Sequence, residues 1–286
     1  MKEDSNRGNG VGRLSSVASA LRLLKTFSGE EVEIGISGLA KRLGVAKSTA
    51  HRLATTLVSE GFLEQNPDNG RYHLGLTLFV LGAEMRNSMD ISARLKPLLR
   101  SMRDSTDETI HLAVLDDTSI VYLHNLESRQ AICIRSSCGT RKPAYCTSEG
   151  RVLLAYAPAE TVARALKQKI PPRTPATITD PARLSQILAE VRTCGYAIDD
   201  QESEIGMRAI AVPIRDVSGE IVAATSLAAP AQRLTKSELR KLVPVMLAAA
   251  EKMSARLGYQ AAGLPREVQP ATGSRAWLRG ELASAR

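Results

Sequence analysis

Apolar residues between positions 36 and 57 recur in two short helical runs that meet at a glycine. Leu39, Ala40 and Leu43 share one face of the first run, with Ser37 placed to cap its start. Gly44 stands where a helix end takes a left-handed residue, so the chain can turn sharply there. In the second run, which begins at Lys47 or Ser48, Ala50, Leu53, Ala54 and Leu57 form an apolar stripe at about 100° per residue. Ser48, His51, Arg52 and Thr55 lie on nearly the opposite face. The pattern predicts a helix-turn-helix whose second helix carries donors and a cation suited to base edges in the major groove. An ordinary helical hairpin with a solvated face is the plainer alternative; small Ala40, the turn at Gly44 and the short connection speak against it.

The flanking pattern extends this unit. Residues 1–13 are polar and read as disordered, with Arg13 at their edge. Val17, Leu21, Leu24 and Phe27 predict a helix over 16–27. Residues 62–65 and 71–74 read as strands joined by a loop containing Asn69-Gly70, a hairpin signal. A hairpin directly after a helix-turn-helix makes a winged helix, so residues 14–75 are read as a DNA-binding domain. Its candidate contacts are Arg13, Lys47, Ser48, Thr49, His51, Arg52, Thr55 and, at the wing base, Arg71. Residues 76–90 read as a linker helix. Its apolar face of Leu78, Leu81 and Met85 calls for a partner, most simply a second copy of the chain.

From about Asp90 the pattern defines a second domain, residues 91–258. A helix over 90–105 leads into alternating strands at 109–115 and 120–126, a third at 131–135, and a loop over 139–145. Thr147-Ser148 opens a helix, and another follows Pro158. Asp180-Pro181 caps a helix that ends at Cys194-Gly195. Strands at 196–199, 209–214 and 221–228 precede a final helix, opened by the capping box Thr235-x-x-Glu238 and closed near Gly258. Hairpins flanked by helices make this an α+β domain with a largely antiparallel sheet. The Pro-, Gly- and Ala-rich residues 259–286 read as a flexible tail.

Charge refines the picture. The 286 residues carry a formal net charge of +8, yet residues 1–90 hold 11 Lys/Arg against 10 Asp/Glu. The phosphate-binding signal is therefore local: Lys41, Arg42, Lys47 and Arg52, with no acidic residue among them. Unliganded architectural DNA binding would need stronger basicity than this. Four cysteines without paired ligand spacing disfavour a disulfide framework or a zinc site. With no signal peptide and no apolar run near 18 residues, the expected setting is the cytoplasm, without a membrane partner.

Two long motifs identify the second domain. Residues 139–155, Gly-Thr-Arg-Lys-Pro-Ala-Tyr-Cys-Thr-Ser-Glu-Gly-Arg-Val-Leu-Leu-Ala, and residues 195–214, from Gly195-Tyr196 through Gly206-Met207-Arg208 to Ile214, resemble the IclR family of bacterial transcriptional regulators. The resemblance covers residues 14–258. It implies a GAF-like effector-binding domain, dimers that pair into tetramers, palindromic operators, and small carboxylate or aromatic-acid effectors. Carried onto this sequence, it places the effector among Lys142, Ser148, Glu149, Asp199, Met207, Ala209, Ser226 and Ala228. The free N–H groups at a helix start near Ser148 suit a carboxylate. Lys142 and Glu149 depart from the commoner pattern; Lys142 could pair with an anion, whereas Glu149 would repel one unless it pointed away. The Cys-Thr-Ser wording is similar to members that sense aromatic acids.

The remaining candidates have plainer readings. Cys146 lacks a partner at any nucleophile spacing and reads as a buried small residue. His111 and His124 read as structural strand residues, and Asp199, Asp200, Glu202 and Glu204 as a solvated acidic loop rather than a metal site. No cofactor is called for. A ligand-responsive regulator is therefore expected, ahead of an enzyme built on the α+β domain with a DNA-binding module attached, because no catalytic constellation stands in the sequence.

Overall fold

The computed structural model describes residues 15–27, 31–88 and 90–260. Arg13, the Met85 side chain and the expected tail beyond residue 260 lie outside the described residues. The chain divides into two compact units, residues 1–89 and 90–286.

The first unit comprises α1 (Ser15–Leu24), α2 (Ile36–Leu43), α3 (Lys47–Ser59), β1 (Leu63–Gln65), β2 (Tyr72–Leu74) and α4 (Leu76–Ser88). Its core gathers Leu23, Ile34, Leu39, Ala54, Leu57, Leu63 and Tyr72. Gly44 adopts φ 68° and ψ 34° at the end of α2, the left-handed conformation that only glycine takes without strain. Ser37 does not cap α2: the helix starts one residue earlier, at Ile36, after an extended Gly35. Ile34 pairs with Tyr72 through two backbone hydrogen bonds of 2.9 and 3.0 Å, which holds the chain extended up to the helix. The β1–β2 hairpin pairs Leu63 with Leu74 and Gln65 with Tyr72. Its loop is anchored by Glu33, which accepts from Asn66 at 2.8 Å and Asn69 at 2.9 Å.

The second unit runs α5 (Asp90–Thr106), β3 (Thr109–Asp116), β4 (Ser119–Leu126), β5 (Arg141–Pro143), a single 3-10 turn (Ala144–Cys146), α6 (Ser148–Tyr156), α7 (Ala159–Lys167), α8 (Pro181–Cys194), β6 (Ala197–Asp200), β7 (Met207–Arg215), β8 (Ile221–Pro230) and α9 (Lys236–Arg256). Six strands form one antiparallel sheet in the order β5-β4-β3-β8-β7-β6. Side chains alternate across a strand, so each strand serves two layers. Ile110, Leu112, Ile210, Val212, Ile214, Ala223 and Leu227 pack with Leu95 and Leu99 of α5 and Met246 and Met253 of α9. The intervening positions face α6 and α8, where Ala113, Ala197, Ala211 and Ala224 meet Val152, Leu154 and Leu188.

The strand expected over 131–135 is absent from the sheet; the third strand is Arg141–Pro143, inside the expected loop. Side chains, not a ladder, hold the 131–135 segment. Thr109 Oγ1 donates to the Ile134 carbonyl at 2.9 Å and Arg233 donates to that of Ile132 at 3.1 Å. Ile132, the outward residue of the alternation, is 72% exposed.

Candidate functional site

Ser48, Thr49, His51, Arg52 and Thr55 are all exposed on α3, on the side away from buried Ala50, Ala54 and Leu57. Lys47, also exposed, begins the helix. Thr49 and Arg52 additionally border a cleft of about 440 Å³ between α1 and α3. Arg71 is committed elsewhere: its guanidinium donates to the Glu33 carbonyl at 2.5 Å and lies 3.4 Å from the Glu31 carboxylate. Glu31 also pairs with Arg42. The basic surface read from the sequence thus has an acidic member brought in from outside the 41–52 segment.

In the second unit, the first turn of α6 points at the middle of the sheet. Thr147 caps it, accepting from the Gly150 N–H at 3.2 Å. Gly150 sits where a Cβ would come within 2.3 Å of the Ala144 backbone, so the 3-10 turn and α6 are in direct backbone contact. Cross-strand register assembles the facing surface. One row runs Asp199, Ala209, Ala228, Thr109 across β6, β7, β8 and β3; the next places His111 opposite Ser226.

Between this surface and the first turn of α6 lies a cavity of about 10 Å³, room for one water. Of the eight residues carried over from the family resemblance, Lys142, Glu149, Asp199, Met207, Ala209 and Ala228 line it. Ser148 and Ser226 do not; both are fully buried behind Glu149 and donate to its carboxylate, at 3.1 and 2.5 Å. His111, Tyr122, Ile134, Arg135, Ser136 and Thr147 line it too and were missed. The alternation of β3 held the signal for His111. It shares a face with Thr109 and Ala113, opposite the apolar face of Ile110 and Leu112, so a histidine there turns to the helix layer.

The electrostatics are tightly arranged. Burial pushes the Glu149 carboxyl upward, but hydrogen bonds from His111 and Ser226 outweigh it and hold the group below the usual range. Burial raises the Asp199 carboxyl to about 6, against hydrogen bonds from Ser203 and from the Glu202 and Ser203 N–H groups. Tyr122 stacks on His111 with ring centres 4.5 Å apart, and burial followed by the Glu149 and Asp199 charges raises its hydroxyl. Lys142 pairs with Glu204. The expected solvated acidic loop is instead partly interior: Asp199 is 1% and Glu202 7% exposed, because Arg151 reaches Glu202 from α6. Cys146 is fully buried, and burial lifts its thiol to about 12, leaving it an inert apolar filler.

Ser226, His111 and Glu149 are not arranged as a nucleophile relay. Ser226 Oγ and Glu149 Oε1 both approach His111 Nδ1, at 3.3 and 3.5 Å, so the ring cannot pass a proton from one to the other across its two nitrogens. Among the described residues no cluster of His, Cys, Asp and Glu could hold a metal ion, and no helix is long and apolar enough to cross a membrane.

A winged helix-turn-helix unit followed in the chain by an α+β unit with a polar cavity at a helix start defines a transcriptional regulator with a DNA-binding and a sensing module. Residues 16–67 match the IclR helix-turn-helix domain and residues 83–255 the family described as bacterial transcriptional regulator IclR C-terminal; the chain belongs to the IclR family. It is 37% identical to the HTH-type transcriptional regulator KdgR of Escherichia coli K12 over 86% of this chain and 94% of that one. Among solved structures, an IclR transcriptional regulator from Silicibacter sp. TM1040 superposes with a TM-score of 0.77 at 31% identity, covering 87% of this chain and 98% of that one. An IclR homologue from Microbacterium hydrocarbonoxydans, solved with 4-hydroxybenzoate, gives 0.74 at 28% identity over 85% and 98%. The curated relatives are transcriptional regulators and repressors, so the chain is a regulator and not an enzyme.

Proposed function

We propose that this regulator binds a palindromic DNA operator through the exposed row of α3 and that a small organic acid in the cavity below α6 modulates that binding. The observation that carries the reading is the cavity wall itself: six of the eight residues expected from the family resemblance converge there from β5, α6, β6, β7 and β8. The N–H groups at the start of α6 and the Lys142 ammonium, which would exchange Glu204 for the ligand, supply positive charge for a carboxylate. Glu149 is compatible with such a ligand because its oxygens are engaged from behind by Ser148 and Ser226. The 4-hydroxybenzoate bound by the Microbacterium homologue supports an acid as the ligand class. Side chains must move apart to admit it, since the cavity is only about 10 Å³.

Ser48, Thr49, His51, Arg52 and Thr55 are the proposed groove contacts, with Lys47 and Arg13 on phosphates. Arg71 would join them by exchanging Glu31 for a phosphate. A palindrome requires a symmetric reader. Exposed Leu76, Phe79, Val80 and Leu81 on α4, with Val17 and Leu21 on α1, supply an apolar surface for a dimer, and effector units could pair dimers into tetramers. The protein would act in the cytoplasm, where its operator lies. Titrating the full-length protein with a panel of small organic acids while following its melting temperature tests the reading, because a ligand that binds only the folded state raises it. A panel without any shift, together with an operator affinity indifferent to every acid, would refute it.

A further inference from the structure

Buried polar atoms are almost always hydrogen-bonded, so exceptions point to something outside the chain. Three buried side-chain atoms have no partner among the described residues: His111 Nε2, Ser136 Oγ and Asn125 Oδ1. The first two belong to residues that line the cavity below α6. His111 is itself only 2% exposed.

The hydrogen-bond network assigns the His111 tautomer. Ser226 Oγ has a single hydrogen and gives it to Glu149 Oε1 at 2.5 Å. His111 Nδ1 lies 3.3 Å from that serine oxygen and 3.5 Å from Glu149 Oε1, two acceptors, so it must bring its own hydrogen. In the neutral ring Nε2 is then a bare acceptor, held in plane by the stacked Tyr122. The two acids of the cavity do not compete with it for ligand donors. Glu149 already accepts from Ser148 and Ser226, and Asp199 from the Glu202 and Ser203 N–H groups and the Ser203 hydroxyl.

We infer that the effector is a hydroxy acid whose hydroxyl donates to His111 Nε2 and accepts from Ser136, with its carboxylate towards Lys142 and the start of α6. The inference rests on the cavity being the effector site, and it names the residue that selects among acids. An acid without the hydroxyl would leave His111 Nε2 sealed and unpaired, a cost that a site built around a ligand hydroxyl turns into rejection.

Calorimetric titration of the full chain with matched acids tests this: lactate against propionate, 3-hydroxybutyrate against butyrate, and 4-hydroxybenzoate against benzoate. At least one hydroxylated member should bind about tenfold tighter than its partner. His111→Phe, which keeps a ring against Tyr122, should abolish that preference, and Ser136→Ala should reduce it by about threefold. Nitrogen-15 shifts of the histidines in the wild-type protein should show His111 protonated at Nδ1 and bare at Nε2, a readout independent of how the variants fold. Equal affinities within every pair, a preference that survives both substitutions, or a ring carrying a proton on Nε2 would overturn the hydroxyl contact. In those cases loss of acid binding on Ala228→Val, which crowds the cavity from β8, would keep the cavity as the effector site. Acid binding that survives Ala228→Val, or no binding by any of the six acids, would overturn both readings.

Discussion

Arg151 Nη1 donates to Glu202 Oε1 at 2.6 Å, and its Nη2 meets the second oxygen, closing a two-pronged ion pair inside the second unit. The same guanidinium donates to the carbonyls of Tyr145 and Ile198, at 3.0 and 3.2 Å. One side chain thus ties α6 to the turn before it, to β6 and to the loop after β6. Removing one partner would strand the other charge in the interior. Glu202→Ala should therefore destabilise the unit by about 3–5 kcal/mol, read from urea unfolding. Arg151→Met with Glu202→Leu should recover part of that loss, because no buried charge then remains unpaired.

Arg52→Ala should weaken operator binding by about 1–3 kcal/mol if the guanidinium reads a guanine, measured by gel shift at fixed salt. Thr55→Ala, three residues and about one helical turn further along the exposed face, should weaken it by less. Equal affinity for wild type and both variants would move the reading face away from α3.

Asp199 and Glu149 should give opposite pH dependences. Asp199 is raised in the fold to about 6, so its contribution to stability is complete below the unfolded carboxyl value near 4 and is lost as pH rises through 6. Asp199→Asn should remove that loss, gaining on wild type by on the order of 2–3 kcal/mol between pH 4 and pH 7. Glu149 is lowered in the fold, so its contribution is present above its unfolded value and disappears as the pH falls through its folded one. The penalty of Glu149→Gln should be largest at neutral pH and shrink on acidification. Denaturant midpoints across pH 4–7 would check the Asp199 slope, and midpoints carried below pH 4.5 the Glu149 one.

Phe79→Lys or Leu81→Lys should reduce the oligomeric state in light scattering at micromolar concentration, since each places a charge on the exposed apolar surface of α4. A wild-type chain that is already a monomer would remove the dimer proposal.

The sequence made the first unit almost fully legible, because its signals are local. Gly44 marks a turn, the α3 stripe has one period, and Asn69-Gly70 marks a hairpin. Ser37 misled because the helix start was set from a distance, by Ile34 pairing with Tyr72. The 131–135 alternation misled because β-like spacing says nothing about whether a neighbouring strand is free to pair. In the second unit, the family resemblance placed six of the cavity's walls, yet His111 and Ser226 stand 115 residues apart and meet only through β3–β8 register. Burial of Glu202 was equally hidden, since an acidic run looks solvated until Arg151 is brought beside it.

The pleat of the central sheet separates two kinds of change. Thr109, His111, Ala209, Ser226 and Ala228 interleave with Ile110, Leu112, Ile210 and Leu227 along the same strands, but they face the opposite layer. A lineage could therefore rewrite what the sensing face recognises one alternate position at a time, while the adhesive that binds the sheet to α5 and α9 stays untouched. Ligand taste and structural integrity occupy odd and even lines of one text, which lets a single scaffold acquire a new signal without first having to become a new fold.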